Sequence, residues 1–136
     1  MNLPGGRAML RKNEGLRLGV VAGWVLFMGF VGAQAQDPAL VNPKSIKVKL
    51  ENDRVRVLEA VLRPGDKEQV HSHPAYVIYV IAGGRVRNHA ADGKVTEHHY
   101  AAGDTLYVDP RVHWAENIGT TTIHLILVEI KGPAMK

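Results

Sequence analysis

Among the 136 residues of this chain, His71 and His73, separated by Ser72, and His113, forty positions later, have the type and spacing to do chemistry. In an extended strand, side chains at i and i+2 leave the same face. The two imidazoles of an H-x-H triplet can therefore address one metal ion without distorting the backbone. Neutral imidazole suits iron, nickel, copper, zinc and, less strongly, manganese, and three protein ligands leave positions open for water, oxygen or substrate. A closed structural site would take four ligands, commonly cysteines, and the chain has none. The competing reading is that H-x-H is a coincidence in a chain with seven histidines, or that the pocket binds a ligand without metal.

The elements that must position these histidines read as short strands. Ile46, Val48 and Leu50 alternate with Lys47 and Lys49, the pattern of a half-buried strand. In the next run Val55, Val57, Glu59 and Val61 share one face, until Arg63-Pro64-Gly65-Asp66 ends it. Residues 76–81 (YVIYVI) form a β-branched and aromatic run of the kind buried on both faces. Asp92-Gly93 is a two-residue hairpin signal between strands at 85–89 and 95–100. Strands at 105–108, 113–117 and 123–130 complete a series spaced by about ten residues, which predicts an all-β fold, a small antiparallel β-barrel or sandwich. No stretch of this part shows sustained helical periodicity.

The N-terminal end has a different character. Arg7, Arg11, Lys12 and Arg17 face a single acid, Glu14; an apolar run fills residues 18–32, and Ala33-Gln34-Ala35 follows. A basic region, a short apolar region and an A-x-A site describe a secretory signal peptide cleaved after Ala35, of the general export type. An uncleaved anchor is the alternative. Removing residues 1–35 leaves 101 residues carrying 13 basic and 12 acidic side chains, so the +4 net charge of the whole chain falls to about +1. No basic patch remains to argue for nucleic acid. The predicted organisation is signal peptide 1–35, arm 36–45, barrel 46–131 and tail 132–136, in a periplasmic or secreted protein that does not engage the membrane after cleavage.

At this level of detail the chain resembles the cupin superfamily, specifically its small single-domain (type 2) members. The first cupin motif, G-x5-H-x-H-x(3,4)-E-x6-G, is matched by Gly65, His71, His73 and Gly83 or Gly84. The second, G-x5-P-x-G-x2-H-x3-N, is matched by Gly103, Pro110, His113 and Asn117, with one residue fewer before the histidine and Arg111 near the expected glycine. The resemblance implies a double-stranded β-helix, the jelly-roll-like cupin barrel, with His71, His73 and His113 as metal ligands. One departure stands out: the motif glutamate would fall at Tyr76, Val77 or Ile78, none of which is a carboxylate. Some cupin-like thiol dioxygenases use three histidines in this way, which favours Fe(II) as the metal.

Three functions compete: a dioxygenase-type oxidoreductase on a small organic substrate, a non-catalytic module that binds or senses a small ligand or metal, and a metal-dependent isomerase or lyase. Glu59, His98 and Tyr76 are the candidates for acid–base work. Glu59 shares a face with three valines and needs a partner there; in the plainer reading it is an exposed position or pairs with an arginine such as Arg85 or Arg87. His98 shares a face with Tyr100 and is a candidate pocket residue. His124 alternates with Ile126, Val128 and Ile130, as a core histidine would, and His89 is expected in solvent. The apolar strands at 76–81 and 123–130 offer a face for a homodimer, and the arm could reach a neighbouring copy.

Overall fold

The computed structural model describes residues 36–132, so the predicted signal peptide lies outside the described residues. A short helix α1 (Pro38–Val41) precedes nine strands: β1 (Ile46–Glu51), β2 (Val55–Leu62), β3 (His71–His73), β4 (Tyr76–Ala82), β5 (Gly84–Ala90), β6 (Val95–Tyr100), β7 (Thr105–Val108), β8 (Arg111–Asn117) and β9 (Ile123–Ile130). They form two antiparallel sheets, β1-β2-β9-β4-β7 and β3-β8-β5-β6. The all-β architecture expected from the strand spacing is the one observed. Among the described residues no helix is long and apolar enough to cross a membrane.

Alternation fixes which side chains enter the space between the sheets. From the five-stranded sheet come Leu58, Tyr76, Ile78, Val80, Ile123 and Leu127, all buried, and the four-stranded sheet adds Val86, Tyr100 and Ala115. Burying these apolar surfaces is the main favourable term holding the sheets together. The turns that open the two motif segments need glycine: Gly65 and Gly103 have φ of +85° and +87°, a region L-residues rarely adopt. Gly83 is required by space, since a Cβ there would stand 2.0 Å from the Tyr100 carbonyl oxygen.

The faces of two strands differ from the sequence reading. In β9 the inward residues are Ile123, Leu125, Leu127 and Glu129, so His124, Ile126, Val128 and Ile130 face out. In β2 the inward set is Leu58, Ala60 and Leu62, which turns Glu59 outward with its valine neighbours. Strand β4, expected to be covered on both sides, is buried on one side, while Tyr79 and Ile81 are 49% and 45% exposed. Both faces of this sheet are apolar, so hydrophobicity could not tell inside from outside. The arm is also more ordered than a linker. Asp37 caps α1 by accepting from the Ala39 and Leu40 amides, and Pro38 and Asn42 are buried.

Candidate metal centre

Strands β3 and β8 pair antiparallel with His71 directly opposite His113 and His73 opposite Arg111. Period-2 alternation turns both H-x-H imidazoles inward, and the cross-strand register brings His113 to them. All three are buried, at 1%, 4% and 5% exposure. One nitrogen from each ring lies within 4.8 Å of the others. Three such points share a centre no more than about 2.8 Å (4.8/√3) from each, close to the ~2.1 Å of a metal–imidazole bond.

Hydrogen bonds decide which nitrogens are free. His71 Nδ1 donates to the Gln69 carbonyl at 2.7 Å, which accepts only, so Nε2 keeps its lone pair. Asn42 pins that segment, its Oδ1 accepting from the Gln69 amide at 2.6 Å and its Nδ2 donating to the Gln69 carbonyl at 3.4 Å. His73 Nδ1 donates to Glu129 Oε1 at 2.6 Å. Arg56 Nη1 stands 3.7 Å from Glu129 Oε2 and 2.6 Å from Asp37 Oδ2, so a chain of polar contacts joins the arm to His73. Partners of this kind fix the tautomer and orientation of metal-binding imidazoles. Both ring nitrogens of His113 are buried without a hydrogen-bond partner, an arrangement that costs free energy unless something accepts the lone pair. Burial pushes the His71 imidazole down to about 4 and that of His113 to about 2, so both are neutral at physiological pH and ready to donate. The residues fit a metal ion.

Two carboxylates beside the histidines escaped the sequence reading. Glu129 is one, and Glu68 is the other. Glu68 is buried, its Oε2 lies 3.9 Å from His71 Nε2, and it accepts a hydrogen bond from the Ala115 amide at 3.2 Å. Burial raises its carboxyl to about 7, only partly offset by that amide and by Arg111. Because His71 is neutral, the 3.9 Å contact is not an ion pair. In β9, the alternation of the apolar face hides Glu129; in residues 68–70, the loss of strand geometry hides Glu68.

Of the acid–base candidates, only Tyr76 reaches the cavity. Its ring packs 4.6 Å from that of His73, its hydroxyl accepts from Arg111 Nε at 3.0 Å, and burial raises the phenol to about 12. Glu59 lies on the outer face, bonded to His124 Nε2 at 2.9 Å and Lys49 Nζ at 3.1 Å, not to Arg85 or Arg87. His98 is exposed on β6, beside Tyr100 but outside the cavity. His89 stacks on Trp114 with centroids 3.6 Å apart rather than standing free in solvent.

The three histidines, Glu68, Tyr76 and Arg111 line a cavity of about 40 Å³ whose remaining walls are mostly apolar. His113, Arg111 and Asn88 also border an outer recess of about 190 Å³, where Lys94 joins them. Arg111 makes no ion pair among the described residues, so an unneutralised guanidinium stands between recess and cavity.

This barrel and its histidine cluster define a cupin. A family model described as a cupin domain matches residues 58–129, and the chain belongs to that family. A cupin domain from Bordetella pertussis is similar at 24% identity and TM-score 0.59, over 64% of this chain and 92% of that one. A protein with a double-stranded β-helix domain from Klebsiella pneumoniae is similar at 32% identity and TM-score 0.53, over 65% and 77%. A cupin family protein from Methanocaldococcus jannaschii shares 19% identity with TM-score 0.52, over 63% and 78%. A search of curated proteins returns no match.

Proposed function

We propose that this protein is an exported, metal-dependent oxidoreductase of dioxygenase type, with His71, His73 and His113 holding a divalent transition metal, Fe(II) in preference to Zn, Ni, Cu or Mn. The observation that carries the metal-binding part of this reading is the His113 ring, buried with both nitrogens unpartnered beside two imidazoles whose Nδ1 atoms are already engaged. A bound metal would supply a Lewis-acidic, redox-capable centre, with molecular oxygen as the oxidant and both of its atoms entering the product. The protein's own groups do the rest. The apolar walls exclude water, and Arg111 orients a small anionic substrate entering from the recess. Export rests on the sequence pattern of residues 1–35.

The test is oxygen uptake by anaerobically Fe(II)-loaded protein offered thiols, β-diketones and catechols. Uptake above a metal-free control is expected with at least one class; none with any of them would sink the oxidoreductase reading. A second reading, a ligand-binding module without chemistry, is favoured by the small inner cavity of about 40 Å³. Native mass spectrometry separates the two, because a module releases its ligand unchanged in mass. We further propose a homodimer formed through the outer face of the five-stranded sheet, where Tyr79, Ile81, Tyr107 and Ile130 are 44–62% exposed. Light scattering on residues 36–136 should give twice the monomer mass, and a monomer at micromolar concentration would remove this proposal.

A further inference from the structure

We propose that Glu68 is a fourth protein donor to the metal, supplying from upstream of H-x-H the carboxylate that the first motif lacks; this rests on the three-histidine reading above. The positions where the motif would carry its glutamate are filled otherwise. Ile78 is apolar and buried, Val77 turns away from the core, and Tyr76 is a neutral phenol already engaged by Arg111. Glu68, by contrast, is more than nine-tenths buried, points into the same cavity, and has no basic side chain as a hydrogen-bond partner among the described residues. Its one hydrogen bond comes from the Ala115 amide, which leaves lone pairs on both oxygens.

The distance agrees with a shared ion. Two donors bound to one metal at ~2.1 Å are about 3.0 Å apart when adjacent in an octahedron and about 4.2 Å apart when opposite. Glu68 Oε2 stands 3.9 Å from His71 Nε2, inside that span, whereas the atoms already within 4.8 Å of one another are those of the three histidines, so the Glu68 carboxylate has to turn toward them to join the set. A carboxylate in such a cavity is costly without a cation; a divalent ion removes that cost, and Glu68 lowers the charge left on the centre. Three imidazoles with one carboxylate form a mixed nitrogen–oxygen set suited to manganese, iron, nickel or zinc and poorly suited to copper(I).

Cobalt(II) binding to the full chain tests this, read by its d–d absorption, by X-ray absorption and by competition against zinc(II). For Glu68→Gln, which keeps the shape of the side chain, affinity should fall at least about tenfold and the cobalt spectrum should change, with one fewer protein oxygen. Glu68→Asp should recover part of the affinity, and thermal unfolding of the metal-free variants at pH 6 reports whether the fold persists. A folded Glu68→Gln protein with unchanged affinity and spectrum overturns the proposal while leaving the histidine site standing. Absence of binding by the unsubstituted protein overturns both, and loss of binding only in His113→Ala separates the histidine reading from this one. Should Glu68→Gln fail to fold, an unchanged spectrum in Glu68→Asp, whose shorter side chain must alter a coordinated carboxylate, overturns the proposal as well.

Discussion

Glu68 directly follows Lys67, the residue bridged to Glu116, and the two glutamates lie on opposite sides of β8. Glu68 enters the cavity, finds a backbone amide, and burial lifts it to about 7. Glu116 faces outward under His89, Lys67 and Arg87, at 3.0, 3.2 and 3.2 Å, and these partners, His89 foremost, draw it down to about 2. The same side chain is thus a weak acid on one side of a strand and a strong one on the other. A carboxylate with three basic neighbours has little left to offer a metal, whereas one with none is poised to accept a cation. The inner glutamate faces the histidine cluster and the outer one ties β5 and β8 to the loop before β3.

The comparison breaks first if the inner cluster holds no metal. His113→Ala should abolish tight binding, with at least about a hundredfold loss of zinc affinity by competition titration, while Glu116→Gln should stay within about twofold of the parent. Acid strength gives the next test. Glu68 has its folded-state value raised from 4.5 to about 7, so its contribution is fully present below about pH 4.5 and is lost as pH rises through 7. Metal-free Glu68→Gln should therefore gain on the parent between pH 4.5 and pH 8, by on the order of 3 kcal/mol, as read from urea midpoints. A gap that stays constant with pH would show that Glu68 ionises as freely as a solvated side chain. His71 and His113, both lowered from 6.5, contribute stability present above pH 6.5 and lost in acid; this is common to both proteins and cancels in the difference.

A smaller effect sharpens the contrast between partners. Glu129→Gln keeps a hydrogen-bond acceptor for His73 but removes its charge, and metal affinity should drop about tenfold. Asn42→Ala frees the Gln69 carbonyl that fixes the His71 tautomer and should cost less, about threefold to tenfold. Isothermal titration of both variants ranks them; equal affinity in all three proteins would mean the ring orientations are set by packing alone.

The sequence made the histidines legible because alternation by two is a strong local signal, and the strands around them follow from spacing and turn residues. What it concealed depends on geometry that is not local. Glu68 is three residues from His71, a separation that would place them on opposite faces of a straight strand, and only the irregular backbone at 68–70 brings both inside. Glu129 ends a strand whose two faces are equally apolar, so neither side announced itself as the interior. For the same reason His124 and Glu59, read as inward or uncertain, pair with each other outside. Arg111 occupies a position where the motif carries glycine, and its role emerges only from the antiparallel register that sets it opposite His73.

The segment from Gln36 to Asn42 acquires a meaning beyond packing. Ser72, between the two ligand histidines, donates its amide to the Gln36 carbonyl, while Asp37 and Asn42 lead through Arg56, Glu129 and Gln69 to the imidazoles. Reciprocity then applies: if seating this segment raises affinity for an ion by some factor, the ion strengthens its seating by the same factor. Loading the centre should slow amide hydrogen exchange and proteolytic trimming at residues 36–42, making this short segment a remote gauge of occupancy.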